Sequence, residues 1–381
     1  MFEKIANAAT RLFEKLTDVG GNHMTPAVVL SIDGQAFGSD TMSRIIDVTV
    51  DDKRGFEADE ITITFSDADG ALAIPSMESM IKVWLGYAET GVVYKGEYKI
   101  SGFEHTGAPD QLRISAIAAD LAASLAEQQE KTWRKTTLGV IVETIAKKHG
   151  YTPKLHKDLT AITIDHIAQT NESDASFLMR LADQYDAIAT VKQKHLLFML
   201  VGKGQTLSGE AIPTVLINRL SGDSHRFSYN TSDNYNAVKA FYLPDKKGSN
   251  KQFVLINADN IEPKKQTAKK DTSKAQAKPD KKQSALTDGG DKPKELRHVY
   301  ANKTNAERGA RTAYKKLKRG RAQFSIALAV GRPDLAPETP IQVQGFKDLI
   351  DSETWLIEKI SHSVSSGGYI SQVDLEAIFI G

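Results

Sequence analysis

Between residues 27 and 119 apolar side chains recur at every second position. Val48 and Val50 are followed by Ile61, Ile63 and Phe65, then Ile81 and Val83, then Leu112, Ile114 and Ala116, with Gly-, Asp- and Pro-bearing turns between them. Short, regularly spaced strands of this kind predict a small barrel or sandwich. From residue 120 to 185 the period changes to 3.6. Thr137 opens a helix with Leu138, Ile141, Val142, Ile145 and Ala146 on one face and Gly150 as its stop. Ser173 opens a second, with Asp174 in its first turn and Phe177, Leu178, Leu181, Ala182 and Tyr185 along its apolar stripe. Strands resume over 187–191 and 196–200, and after Ala322 the two-residue alternation runs to the C-terminus.

Three segments break this pattern. Residues 1–23 place Phe2, Ile5, Ala9, Leu12, Phe13 and Leu16 at helical spacing among charges, which predicts an amphipathic extension that either packs on a partner or is poorly ordered. Interrupting charges argue against a secretory signal, and Met24 opens the first strand. Residues 262–295 are rich in Lys, Gln, Ala, Ser and Asp with almost no large apolar side chain, which predicts disorder. Residues 302–319 form a basic helix in this reading, with Thr304 to Glu307 as its capping box. The predicted organisation is an extension (1–23), a first β-barrel domain (24–119), a mixed α/β middle domain (120–225) and a second β-barrel domain (226–260 with 320–381). A disordered Lys-rich insertion (261–297) and the basic helix (298–319) interrupt the second barrel. The fold class is mainly β with an α+β middle part.

A weak internal repeat links the two outer parts. Ile81-Lys82-Val83 and Ile341-Gln342-Val343 each follow a proline, Pro75 or Pro340, and Lys-Ile-Ser comes 18 residues later in both copies, at 99–101 and 359–361. A histidine follows (His105 or His362), then a Gly-bearing turn and an alternating strand, 112–116 or 373–377. The offset of about 260 residues suggests two related β-domains flanking the helical part.

Composition narrows the chemistry. The chain of 381 residues is 40% hydrophobic and 25% charged, ordinary globular usage, and has no cysteine, which removes disulfides, thiolate metal sites and a cysteine nucleophile. Its longest apolar run, 196–201, has six residues against the ~20 that span a bilayer, so a soluble chain with no membrane partner is expected. The net charge of +1 conceals an imbalance: residues 261–321 hold 19 basic and 7 acidic side chains, leaving 30 basic and 41 acidic elsewhere. That balance disfavours a basic nucleic-acid-binding body, and the lysine run has no aromatic residue between Glu262 and Val299 on which a base could stack.

No catalytic constellation emerges. The histidines lack metal-ligand spacing, Asp223-Ser224-His225 are neighbours that point apart rather than a convergent triad, and Gly202-Lys203-Gly204 lacks the ending of a phosphate loop and reads as a hairpin turn. Asp51-Asp52 and Glu57-Ala58-Asp59-Glu60 fall at strand ends and read as solvated surface. No enzyme activity, cofactor, metal or catalytic residue is expected. One motif points to a binding module: Thr137-Leu138 with Ile145 to Tyr151 is similar to the first helix of peptidoglycan-binding LysM repeats, which keeps a peptidoglycan-binding or peptidoglycan-cleaving tail component (stretch 137–151) as the alternative function.

The segment 171–187, Asn-Glu-Ser-Asp-Ala-Ser-Phe-Leu-Met-Arg-Leu-Ala-Asp-Gln-Tyr-Asp-Ala, resembles the hallmark of the phage late control D family. These are baseplate hub proteins of contractile tails, related to the N-terminal half of type VI secretion valine-glycine-repeat spike proteins. The stretches 322–335 and 367–376 resemble the family too, and together the likeness covers about 24–260 and 298–381. It implies a homotrimeric structural hub whose two tube-like barrels per subunit make a pseudo-sixfold ring in the virion tail baseplate, assembled in the host cytoplasm. Implied partners are a trimeric tail spike and the tail tube, with tape measure and baseplate wedge proteins as further candidates and DNA only as cargo in the lumen. The chain ends with its last strand at Gly381, so the spike is expected to be a separate protein. Phe177, Leu178, Leu181, Ala182 and Tyr185 are then packing residues of the middle domain.

Overall fold

The computed structural model describes residues 24–378 apart from 120–122, 193, 203–209, 231–234, 245–250, 259, 262–291, 301 and 320. The N-terminal extension, most of the Lys-rich insertion and Lys203-Gly204 lie outside the described residues. The first β-unit comprises β1 (Pro26–Ile32), β2 (Gln35–Ala36), the short helix α1 (Ser39–Ser43), β3 (Ile45–Lys53), β4 (Glu60–Ser66), β5 (Met80–Tyr87), β6 (Gly91–Thr106) and β7 (Gln111–Ala118). Along β4 burial alternates strictly, with Ile61, Ile63 and Phe65 inward, as the two-residue period requires. Inward residues of β1 and β3–β7 share one core, Leu30, Val48, Val50, Ile81, Val83, Leu85, Ile114 and Ala116 among them, so the sheet curls over itself.

The middle part holds β8 (Gln128–Thr137), α2 (Leu138–Lys148), β9 (Thr152–Leu155), α3 (Lys157–Thr160), β10 (Thr163–Ser173), α4 (Asp174–Tyr185), β11 (Ala187–Lys192) and β12 (His195–Leu200). The helix starts are chemical: Thr137 Oγ1 accepts from the Val140 N–H, and Ser173 Oγ accepts from that of Ser176. Helix α2 stops before Gly150, at φ 75°. β8 pairs with β10, while β12 pairs with β11 and, in parallel, with β9. The apolar faces of α2 and α4 share one core with these strands.

The second β-unit is β13 (Val215–Asn218), β14 (Gly222–Tyr229) and, after an excursion, β18 (Ala322–Leu328), β19 (Pro340–Gln344), the one-turn α6 (Asp348–Asp351), β20 (Thr354–Ser365) and β21 (Gly368–Ile378). The excursion consists of β15 (Tyr235–Tyr242), β16 (Gln252–Asn257), β17 (Lys292–Tyr300) and α5 (Lys303–Arg319). Here the structure departs from the sequence reading, which gave 226–260 to the second barrel, 262–295 to disorder and 120–225 to the middle domain, although β13 and the start of β14 pair within the second unit. Only the stretch to Tyr229 pairs with that barrel; β15, β16 and β17 form a three-stranded sheet of their own. Residues 292–295 lie in β17, parallel to β15, because Val238, Ala240, Val254 and Ile256 bury against Ala306, Ala310 and Tyr314 of α5 and hold the sheet that β17 joins. Helix α5 is capped by Asn302, whose Oδ1 accepts from the Asn305 N–H, rather than by Thr304; Glu307 pairs instead with Lys303 and Arg311.

The two β-units have the same strand order, β1-β5-β6-β7-β4-β3 in the first and β13-β19-β20-β21-β18-β14 in the second. They differ in that β1 runs antiparallel to β5 whereas β13 runs parallel to β19. The excursion replaces the short β3–β4 turn. Ala116 stands opposite Ile100 as Val373 stands opposite Ile360, so the counterpart of 112–116 is 369–373, four residues before the stretch matched by sequence spacing. The class is therefore mainly β, with two related β-units flanking a mixed α/β part.

Candidate functional site

The two copies are joined by main-chain pairing. Residues 359–365 of β20 run antiparallel to 47–53 of β3, making one continuous 13-stranded sheet. The same edge of β20 pairs with β19 through 354–356, so β20 serves its own unit at one end and the neighbouring unit at the other. Val364 and Tyr369 of the second copy complete the first copy's core.

A buried polar cluster sits across this seam. Lys95 Nζ lies 2.9 Å from His362 Nε2 and 3.4 Å from the Leu335 carbonyl oxygen. Burial, then the adjacent Lys95 charge, holds the His362 imidazole well below its usual range. Burial also brings the Lys95 ammonium down to about 8. A neutral imidazole that accepts from Lys95 at Nε2 carries its proton on Nδ1, which faces Ser371 Oγ at 2.9 Å and Tyr369 Oη at 3.0 Å. Tyr87 closes the cluster by donating to the Gly331 carbonyl at 3.0 Å, and burial pushes its phenol up to about 12. His105, matched to His362 by spacing, is instead an exposed-side partner of Asp67 at 3.3 Å.

Ion pairs tie the other parts to the seam. Arg54 lies between Glu338 (2.5 Å) and Glu376 (2.6 Å) of the second copy. Burial pushes the Glu338 carboxyl up to about 7 against the pull of Arg54 and with a contribution from Glu376. From the middle part, Lys192 bonds Asp52 at 3.0 Å and also Asp59. Burial, then the like charge of Asp52, raises Asp59 to about 6 despite Lys192. These aspartates, read in the sequence as solvated strand ends, are structural: Asp59 is only 8% exposed. Their pairing depends on a lysine 133 residues from Asp59 and 140 from Asp52, beyond the reach of local patterning.

Phe177, Leu178, Leu181, Ala182 and Tyr185 are all buried, with the Phe177 ring stacked 6.5 Å from Trp133. The polar positions of the same segment, which the sequence left without a role, meet α5: Lys316 pairs with Asp183, Arg319 with Asp186, and Thr312 Oγ1 donates to the Gln184 carbonyl at 3.4 Å. In the LysM-like stretch Leu138, Ile141, Val142, Ile145 and Ala146 face the middle core. His225 of the Asp-Ser-His stretch packs between the rings of Phe324 and Phe346. Among the described residues no group of three or more His, Asp and Glu is placed to hold a metal ion, and no helix is long and apolar enough to cross a membrane.

A duplicated β-unit joined by a main-chain seam and braced by ion pairs is thus the frame of this chain. A family model for the phage tail baseplate hub (GPD) matches residues 80–368, and the chain belongs to that family. It is 38% identical over 371 residues to the "Probable baseplate hub protein" of Escherichia phage 186, covering 95% of each chain, and 36% identical over 379 residues to that of Escherichia phage P2, covering 96% of each. These matches extend further than the resemblance drawn from local motifs. Among solved structures, the prophage MuSo2 43 kDa tail protein from Shewanella oneidensis shares the fold, with a TM-score of 0.61 at 14% identity, over 92% of this chain and 98% of that one. The protein is a structural component of a phage tail baseplate, its hub.

Proposed function

We propose that three copies close into a ring of six similar β-units, which meets a sixfold tail tube on one face and a trimeric central spike on the other. Two units per subunit in a threefold assembly reconcile the two symmetries with one polypeptide. Symmetry adaptation, not catalysis, is the mechanism, and the tail is of the contractile type with its tape measure and wedge proteins packed around the hub. DNA passes through the lumen, and assembly takes place in the host cytoplasm before release.

The observation that carries this reading is the identical strand order of the two units, joined by β3 and β20 as repeating neighbours of one wall. Native mass spectrometry of the purified chain at micromolar concentration tests it. A mass near three times 41.7 kDa, about 125 kDa, is expected. A strict monomer or dimer across that range would refute the ring.

A further inference from the structure

Within the chain, each β-unit has one edge that gives and one that receives. The second copy gives the outer edge of β20, residues 359–365, and the first receives it along the outer edge of β3, residues 47–53. The counterpart of β20 in the first copy is β6, and the counterpart of β3 in the second is β14. Among the described residues both counterparts are left open. β6 pairs with β5 through 91–99 and with β7 through 98–106, so beyond Ser101 its edge opposite β7 pairs with no strand among the described residues. β14 pairs with β18 on one edge, and no described strand lies on the other.

Exposure follows the same division. In the closed seam Val48, Val50, Ile360 and His362 are each 0% exposed. On the open edges the run from Phe103 to Thr106 is exposed, as is that from Asp223 to Arg226. Apolar side chains stand beside both: Phe103 is 46% exposed, and Leu220, just before β14, is 98% exposed. Long uncovered strand edges with exposed apolar residues are templates for pairing, and proteins that persist in solution cover them.

We propose that the open edge of β6 (101–106) pairs antiparallel with the open edge of β14 (222–229) in a second copy of this chain, repeating between subunits the β20–β3 seam made within each. The inference rests on the trimeric reading above and names the strands that would make it. The contact is head to tail, so each subunit keeps one open edge of each kind until the ring closes. Charge is complementary at the seam already formed, where Lys359 lies 3.3 Å from Asp51, and the open edges offer Glu104 and Arg226. Register carries over through the repeat. Ala116 corresponds to Val373, so Ile61 corresponds to Ile326 and Val50 to His225. His362 stands opposite Val50, which brings His225 opposite Gly102, or opposite Phe103 if the bulge at Ser101 shifts the ladder by one.

The cysteine-free chain permits a direct test. Phe103→Cys is combined with Ser224→Cys in one double variant and with His225→Cys in another, each full-length protein is oxidised, and denaturing gels are read beside native masses. A cross-linked trimer from at least one pair, with no cross-link from any single variant, is expected. Thr49→Cys with Ser363→Cys, opposite residues of the existing seam, is the intramolecular positive control. A native trimer that neither pair cross-links would overturn this seam and leave the trimeric ring standing. Cross-linked dimers from a single variant would show a symmetric contact and overturn it as well. Absence of a trimer by native mass would overturn both readings.

Discussion

Glu338 holds its charge at the expense of desolvation. It is buried beside Arg54, yet the 2.5 Å approach is poorly aligned: Glu338 Oε1 and Arg54 Nε are both buried without a hydrogen bond of good geometry. Its carboxyl, ordinarily at 4.5, is pushed up to about 7 by burial even with Arg54 adjacent. Between these values the folded protein holds a proton that the unfolded chain releases, so stability falls as pH rises from 4.5 to 7. At 1.36 kcal/mol per pKa unit the full penalty above pH 7 is about 3 kcal/mol as an upper value. Glu338→Gln preserves shape and removes the charge, while Arg54 keeps Glu376 at 2.6 Å. The variant is expected to match the parent at pH 4.5 and to exceed it by up to about 3 kcal/mol at pH 8, because Arg54 retains Glu376 and is not left as an unpaired buried charge. For a chain of this length unfolding as a unit, that gain raises the melting temperature by about 4 °C. Thermal melts of both proteins at the two pH values are the assay. A variant less stable than the parent at pH 8 would show that the ion pair with Arg54 outweighs the cost of burial, and the reasoning would be wrong.

Two further perturbations probe the same architecture. Lys192→Met leaves Asp52 and Asp59 facing each other without their cation, and a loss of about 3–5 kcal/mol is expected at pH 8. The loss should shrink at pH 5, where Asp59, already at about 6, takes up a proton; a pH-independent loss in the same melts would contradict the assignment. Phe177→Ala removes a fully buried ring stacked on Trp133 and is expected to cost about 3–5 kcal/mol, read by chemical denaturation; an unchanged midpoint would mean that α4 is not held by this core.

Regular elements were legible in the chain because each rests on short-range physics. Period-two alternation marks the strands around Val48, Ile61, Ile81 and Leu112. The 3.6-residue stripe through Phe177, Leu181 and Tyr185 marks α4, and Thr137 and Ser173 mark helix starts because their hydroxyls cap amides three residues on. The repeat near 260 residues was legible for a related reason: two copies of one unit keep the same inward positions. Its fine register was not, since the bulge sits at Ser101 in one copy and Glu358 in the other, and bulges leave little trace in composition.

By itself, then, the sequence determined the strongly periodic strands and helices, the duplication, the absence of cysteine chemistry and the family to which the chain belongs. Only the tertiary structure decided that β15 to β17 leave the second barrel for a sheet of their own, and that Asp59, Glu338 and Lys95 are buried charges and not surface. It also decided that β20 crosses into the first unit while β6 beyond Ser101 has no second strand partner among the described residues. The buried charges and the β20–β3 seam depend on partners 100 or more residues away, such as Lys192 for Asp59 and Lys53 for Lys359. Desolvation and edge pairing are set by what the folded chain brings alongside a residue, and local periodicity carries no record of that.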